Sequence, residues 1–200
     1  MNRFFLFLSG LILIFLSGCF FGSLSQFSDE EIVGKENLIP NSGFEEGTYH
    51  YDTLPEHWLI VNKPNFEIFW DKSNGFEGEK SLKIQNPSEE INLFSDAFNI
   101  DPGAIYYSRC FVKSNQPNAT PVTLFFLAFN LEGKKVNRFA SKVIPGEEWT
   151  EINLSSGFLK GDALFGRVVI SFPKNKNITY WVDNVETYEV YKLRKRWSKR

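Results

Sequence analysis

Few residues of this 200-residue chain could carry out covalent chemistry, and they are not arranged for it. The only histidines, His50 and His57, both lie in the stretch leading to Trp58, and neither has a recognisable nucleophile partner. No Gly-x-Ser-x-Gly elbow, His-Glu-x-x-His zinc motif or phosphate-cradling glycine loop occurs. Adjacent carboxylates stand at Glu45-Glu46, Glu89-Glu90 and Glu147-Glu148. General acid–base work needs carboxylates that face each other, and neighbours on a strand point to opposite faces. These pairs read as solvated turns. The expectation is a protein that binds, not an enzyme.

The chemistry that does stand out is at the start. After Arg3 runs an apolar stretch from Phe4 to Leu16, broken only by Ser9 and Gly10. It is short of the ~20 apolar residues of a permanent membrane helix. A positive start, a short apolar run and small residues before a cut mark a signal peptide. Leu16-Ser17-Gly18-Cys19 then matches the lipobox of bacterial lipoproteins. The match implies a signal peptide over 1–18 and a Cys19 acylated on its thiol and, after cleavage, on its amine. Several chains such as palmitate, at ~0.8 kcal/mol per buried CH₂, hold stably where one would be marginal. The alternative is an ordinary signal peptide in which Cys19 is incidental. With lipid on Cys19, Cys110 is the one remaining thiol, so no intrachain disulfide forms. Cys110 reads as a small buried hydrophobe. The expected location is the bacterial cell envelope, lipid-anchored at the outer membrane or cell surface.

Charge divides the rest. Of 22 basic residues, one lies in the signal and six in the tail 192–200, leaving 15 against 24 acidic residues in the body. An acidic body argues against nucleic acid as partner. The tail, Lys192 to Arg200, holds no acidic residue and either meets anionic headgroups or acidic glycans, or is a solvated terminus. Residues 19–36 have no sustained period and read as a lipidated tether. From 37 to 191 the chain is short runs of Val, Ile, Phe, Tyr and Trp between turn residues such as Asp101-Pro102-Gly103 and Ile144-Pro145-Gly146. About ten strands of this spacing predict an all-β sandwich of two antiparallel sheets.

Alternation sorts the faces of two strands. In Ala104–Lys113, Tyr107, Arg109 and Phe111 oppose Tyr106, Ser108, Cys110 and Val112. In Leu164–Phe172, Arg167 shares a side with Val169 and Ser171. The sides bearing Arg109 and Arg167 are expected to face outward, because an unpaired arginine is rarely fully buried. Val122–Asn130 is apolar on both sides, which predicts a central strand partly covered by a loop or a ligand.

Asn37-Leu38-Ile39-Pro40-Asn41-Ser42-Gly43-Phe44-Glu45, followed by Pro55-Glu56-His57-Trp58, resembles the opening of carbohydrate-binding modules of families 4, 9 and 22. Ser81-Leu82-Lys83-Ile84, Ile100-Asp101-Pro102-Gly103, Glu148-Trp149-Thr150 and Trp181-Val182-Asp183-Asn184-Val185 agree in order, so the likeness spans about Asn37 to Val190. The resemblance implies a jelly-roll β-sandwich of the galactose-binding-domain-like group. It also implies a structural calcium ion, held by Glu45, Glu77 and Asp183 with carbonyls near Gly43 and Lys80. Calcium takes six to eight oxygens, and three carboxylates gathered without a cation would repel one another.

Sugar recognition needs aromatic faces and directional polar groups. The outward candidates are Tyr107, Arg109, Phe111, Phe125 and Arg167; the alternative is that loops cover the aromatic ones and make them core. Two functions follow from the anchored sandwich. One is a non-catalytic lipoprotein that binds a glycan or glycoconjugate through one sheet face. The other is a structural or adhesive surface lipoprotein that holds a protein partner, such as a cell-surface protein.

Overall fold

A computed structural model of the chain describes residue 27 and residues 29–47, 54–61, 67–117 and 119–192. The signal peptide, Cys19 and the tail beyond Lys192 lie outside the described residues. A short helix, α1 (Asp29–Ile32), precedes eleven strands: β1 (Trp58–Ile60), β2 (Ile68–Asp71), β3 (Ser81–Gln85), β4 (Ile91–Ser95), β5 (Phe98–Asn99) and β6 (Ala104–Ser114) come first. Then follow β7 (Val122–Phe129), β8 (Lys135–Val143), β9 (Thr150–Ser155), β10 (Phe165–Phe172) and β11 (Thr179–Lys192). No helix among the described residues is long and apolar enough to cross a membrane.

The strands form two antiparallel sheets. The six-stranded sheet runs β1-β4-β10-β7-β8, with β5 pairing on β10; the five-stranded sheet runs β2-β3-β11-β6-β9. Alternation makes the sandwich. Val122, Leu124, Phe126 and Ala128 of β7 are wholly buried, while Thr123, Phe125, Leu127 and Phe129 between them are half-buried. The inward set meets Leu82, Ile84, Val112, Tyr180 and Val182 of the other sheet in one core. Each such side chain contributes roughly 1.5–3 kcal/mol of hydrophobic stabilisation.

Local sequence fixes the turns. Between β7 and β8, Asn130 Oδ1 accepts from the Lys134 amide at 2.9 Å, and Gly133 takes φ 73°, the left-handed region open to glycine. The long β6–β11 pairing shifts register between Asp183 and Glu186, a bulge at Asn184 and Val185. There the Val185 amide bonds the Ser42 carbonyl at 2.9 Å, which ties the opening segment to the last strand. Cys110 is wholly buried, and burial pushes its thiol far up, so it is an inert hydrophobe as expected.

The region read as a tether is docked in its described part. Ile32 of α1 is buried with Tyr107 and Tyr188 on the outside of the five-stranded sheet, and Phe27 and Val190 pack against them. Leu38 N bonds Thr187 O at 2.8 Å, and Lys35 Nζ bonds Glu189 O at 2.9 Å.

Candidate functional site

The five residues expected to form one binding face fall on two. Tyr107, Arg109 and Phe111 belong to β6 of the five-stranded sheet, whereas Phe125 and Arg167 belong to β7 and β10 of the six-stranded sheet, on the opposite side of the sandwich. Their outward orientation is as alternation predicts. What alternation does not see is the cover laid over the five-stranded sheet.

Tyr107 is only 2% exposed, because the N-terminal segment lies on it. Arg109 donates from Nε to Glu186 Oε2 at 2.5 Å, a pair formed across β6 and β11, and its guanidinium sits 5.7 Å from the Phe111 ring centre. Phe111 is stacked under Phe76, which arrives on the loop between β2 and β3. Tyr107 and Phe111 each carry a covering segment, and Arg109 is held by Glu186 on the neighbouring strand with its guanidinium over Phe111.

The same loop builds the place where calcium was expected. Asp183, fully buried, accepts at Oδ2 from the amides of Phe76 (2.6 Å) and Glu77 (3.3 Å), and at Oδ1 from the Asn184 amide (2.7 Å). Burial pushes its carboxyl up to about 7 against those three donors, and the nearby Glu45 charge acts in the same direction. Glu45 Oε1 accepts from the amides of Glu79 and Lys80, each at 2.9 Å, and Lys80 Nζ lies 3.2 Å from Oε2. For Glu45, burial raises the pKa, but the Lys80 and Glu79 contacts outweigh it and hold the carboxyl below its usual range. Gly78, at φ 86°, makes this seat: a Cβ there would stand 2.4 Å from Glu45 Oε1.

Glu45 and Asp183 stand at one corner, but the carboxylate of Glu77 is not gathered with theirs among the described residues. A Cβ on Gly43 would touch Glu45 Cγ at 3.7 Å, Asp183 Oδ1 at 3.8 Å and the Glu77 carbonyl at 4.0 Å. Glu77 reaches the spot with its main chain, while its side chain is exposed. A buried carboxylate, a second carboxylate and a main-chain carbonyl form an oxygen donor set of the kind a hard cation takes.

The six-stranded sheet has an outer side of its own, where Phe94 and Phe125 are half-buried, Val169 between them is 3% exposed and Ala140 at the edge is exposed. Register aligns Leu59, Phe94, Val169, Phe125 and Ala140 in one row straight across β1, β4, β10, β7 and β8. A second row, Arg167, Leu127 and Arg138, borders it on one side; Asn92, Ser171, Thr123 and Lys142 border it on the other. The apolar row is thus flanked by hydrogen-bonding groups. Arg138 and Lys142 are exposed, and the Arg138 guanidinium lies 4.3 Å from the Phe125 ring centre. Arg167 donates from Nη1 to the Ser95 carbonyl at 3.1 Å, which fixes it beside the row. Phe94, Leu127, Arg138 and Lys142 were not among the expected residues. Alternation within β4, β7 and β8 marks their side, but only the cross-strand register shows that they adjoin Phe125.

Elsewhere, His57 Nδ1 lies 2.9 Å from Asp96 Oδ2, and a His57 nitrogen groups with carboxylate oxygens of Glu46 and Glu56 within 4.8 Å. Asn41 holds that neck together, its Nδ2 donating to the carbonyls of Glu46 and Glu56 at 2.9 Å each. Trp70 and Trp58 are structural: their indole N–H groups bond the carbonyls of Phe44 (2.7 Å) and Asn41 (3.0 Å).

No protein-family model and no curated protein matches the chain. Solved structures do. One described as Family 16 Carbohydrate Binding Module-2 aligns with TM-score 0.57 at 16% identity, over 76% of this chain and 100% of that one. The CBM22-1 xylan-binding domain of Xyn10C from Paenibacillus barcinonensis aligns with TM-score 0.51 at 16% identity, over 80% and 97%. A cyclase from Fischerella sp. aligns with TM-score 0.54 at 12% identity, over 76% and 96%. The chain therefore has the jelly-roll sandwich fold of carbohydrate-binding modules, a fold that an enzyme shares.

Proposed function

We propose that this chain is a non-catalytic, membrane-anchored lipoprotein that binds carbohydrate on the outer face of its six-stranded sheet. The observation that carries this reading is the row Leu59-Phe94-Val169-Phe125-Ala140, bordered by Arg138, Arg167, Asn92 and Lys142. The partly exposed members of the row, Phe94, Phe125 and Ala140, would take the C–H side of a pyranose, while the Arg138, Arg167 and Lys142 cations donate to its hydroxyls and the Asn92 amide donates or accepts. The fold neighbours that are carbohydrate-binding modules support the same reading.

Anchoring rests on Leu16-Ser17-Gly18-Cys19 behind a charged start and an apolar run. Acyl chains on Cys19 would hold the sandwich at a membrane of the cell envelope. A calcium ion at the Asp183 corner would be held by Asp183 and Glu45 together with the Glu77 carbonyl, and would have to displace the Lys80 ammonium from Glu45. It would supply positive charge to a buried carboxylate and pin the β2–β3 loop to β11. The protein partner of the adhesive reading becomes an outcome of the test.

The test is a glycan array probed with the intact protein, followed by calorimetry on the best ligand. Phe125→Ala and Arg138→Ala are expected to weaken binding about tenfold or more, a loss of ~1.4 kcal/mol. Phe111→Ala should leave affinity unchanged. Silence on the array, with crosslinking on cells recovering one protein through the same face, would replace the glycan by a protein partner.

A further inference from the structure

The chain enters and leaves its fold at one place. Phe27, the first described residue, packs into the cluster of Ile32, Tyr107, Tyr188 and Val190. Lys192, the last described residue, stands two positions beyond Val190 and pairs with Ala104 at the start of β6. Two strand residues span ~7 Å, so entry and exit lie side by side at the same end of the five-stranded sheet. Lys35 Nζ on the Glu189 carbonyl fastens the entering segment to the leaving strand.

Seven residues lie between Cys19 and Phe27, a reach of eight steps, and eight residues follow Lys192. Fully extended, either stretch spans ~27 Å, so whatever surface Cys19 reaches, Arg200 reaches too. The leaving stretch is built for an anionic surface. Lys192 Nζ is paired with Asp101 Oδ2 at 2.9 Å; beyond it Arg194, Lys195, Arg196, Lys199 and Arg200 are basic, no acidic residue interrupts them, and Leu193 and Trp197 are interspersed. Clustered lysines and arginines are drawn to anionic headgroups, and tryptophan favours the headgroup layer.

We infer that the segment from Leu193 to Arg200 is a second membrane contact, laid on anionic lipid headgroups beside the acylated cysteine. It rests on the lipoprotein reading of Cys19. Two attachments at adjacent points fix how the sandwich stands: the end bearing Phe27 and Val190 faces the lipid. The lipid supplies the affinity, and the tail, tethered at high effective concentration, supplies orientation. Because the attraction is between exposed charges, salt weakens it.

The test uses the processed full-length protein reconstituted in nanodiscs of phosphatidylcholine, with and without phosphatidylglycerol. The readout is quenching of Trp197 by brominated lipid, isolated by subtracting the Trp197→Phe protein. Quenching several-fold greater in anionic discs, abolished by high salt and by combined R194Q, K195Q and R196Q, is the expected result. Equal or absent quenching in both discs, with acylated Cys19 seen in the intact mass, overturns the tail contact and leaves the lipoprotein reading standing. An intact mass without acyl chains overturns both.

Discussion

Phe76 lies flat on Phe111, with ring centres 3.7 Å apart and planes 13° from parallel. Phe76 comes from the β2–β3 loop and Phe111 from β6, so the stack closes that loop over the outer side of the five-stranded sheet. Trp149 meets Phe76 edge-on at 6.0 Å. The loop is the one whose amides hold Asp183. Phe111→Ala should therefore lower stability by ~2–3 kcal/mol, from lost burial and a lost aromatic pair, with no loss of ligand affinity. Urea titration beside calorimetry separates the two. A fall in affinity with stability intact would return Phe111 to the binding site.

Asp183→Asn tests the corner beneath that stack. The amide would keep one acceptor but turn an NH₂ group toward main-chain N–H donors that now bond a carboxylate. Leaving a buried donor against donors costs about 1–3 kcal/mol by the usual penalty for unmade bonds. The loss should persist in chelator, since the amide contacts need no metal. Calcium should raise the melting temperature of the parent protein and not that of Asp183→Asn. A melting temperature indifferent to calcium in the parent would remove the metal from the proposal and leave the amide cage.

Gly78→Ala probes the same corner from the other side. Its Cβ would meet Glu45 Oε1 at 2.4 Å, and φ 86° is unfavourable for alanine. Glu45 would have to leave the Glu79 and Lys80 amides. A destabilisation of about 2–3 kcal/mol is expected from strain and lost bonds together. Circular dichroism melts measure it, and an unchanged midpoint would contradict the seat.

The strand content was legible because period-two alternation is a local property. Ala104–Lys113, Val122–Asn130 and Leu164–Phe172 each differ from the observed strand by one residue. The apolar run from Ile91 to Phe98 reads as continuous but is divided: β4 ends at Ser95, and Phe98 pairs with Gly166 on β10. Asp183 and Glu45 could be joined in advance only through a likeness to known modules. Alternation also put Tyr107, Arg109 and Phe111 on an outer side. It could not show that Ile32 and Phe76, from distant stretches, would lie over that side. Nor could it show that Phe125 and Tyr107 belong to different sheets, since sheet membership is decided by long-range pairing.

The docked N-terminal segment makes its own prediction. Ile32→Asp would place an unpaired charge against Tyr107 and Tyr188. The segment from Phe27 to Lys35 should detach, while the main core, which does not include Ile32, stays folded. Hydrogen exchange would show loss of protection at Leu38 and Lys35 with β7 and β10 unchanged. Unfolding of the whole sandwich would mean that the segment belongs to the core.

Alkaline pH should loosen the same end of the fold. Burial pushes the phenols of Tyr106 and Tyr188 up to about 12 from an ordinary 10, and carboxylates add to it: Glu189 and Asp101 at Tyr106, Glu186 at Tyr188. Each hydroxyl is kept protonated in the folded chain: Tyr106 donates toward Glu189 Oε2 at 3.4 Å and accepts from the Asp101 amide at 2.7 Å. Below pH 10 both states hold these protons and the phenols do not alter stability. Between about 10 and 12 the unfolded chain loses them while the folded chain does not, so stability falls as pH rises through that window. Ultraviolet titration should find tyrosines that ionise late, together with unfolding. Tyr106→Phe should flatten the decline, because phenylalanine keeps the stack on Phe126, with ring centres 5.5 Å apart, and has no proton to lose. A decline of the same steepness in the variant would assign the alkaline loss to other groups.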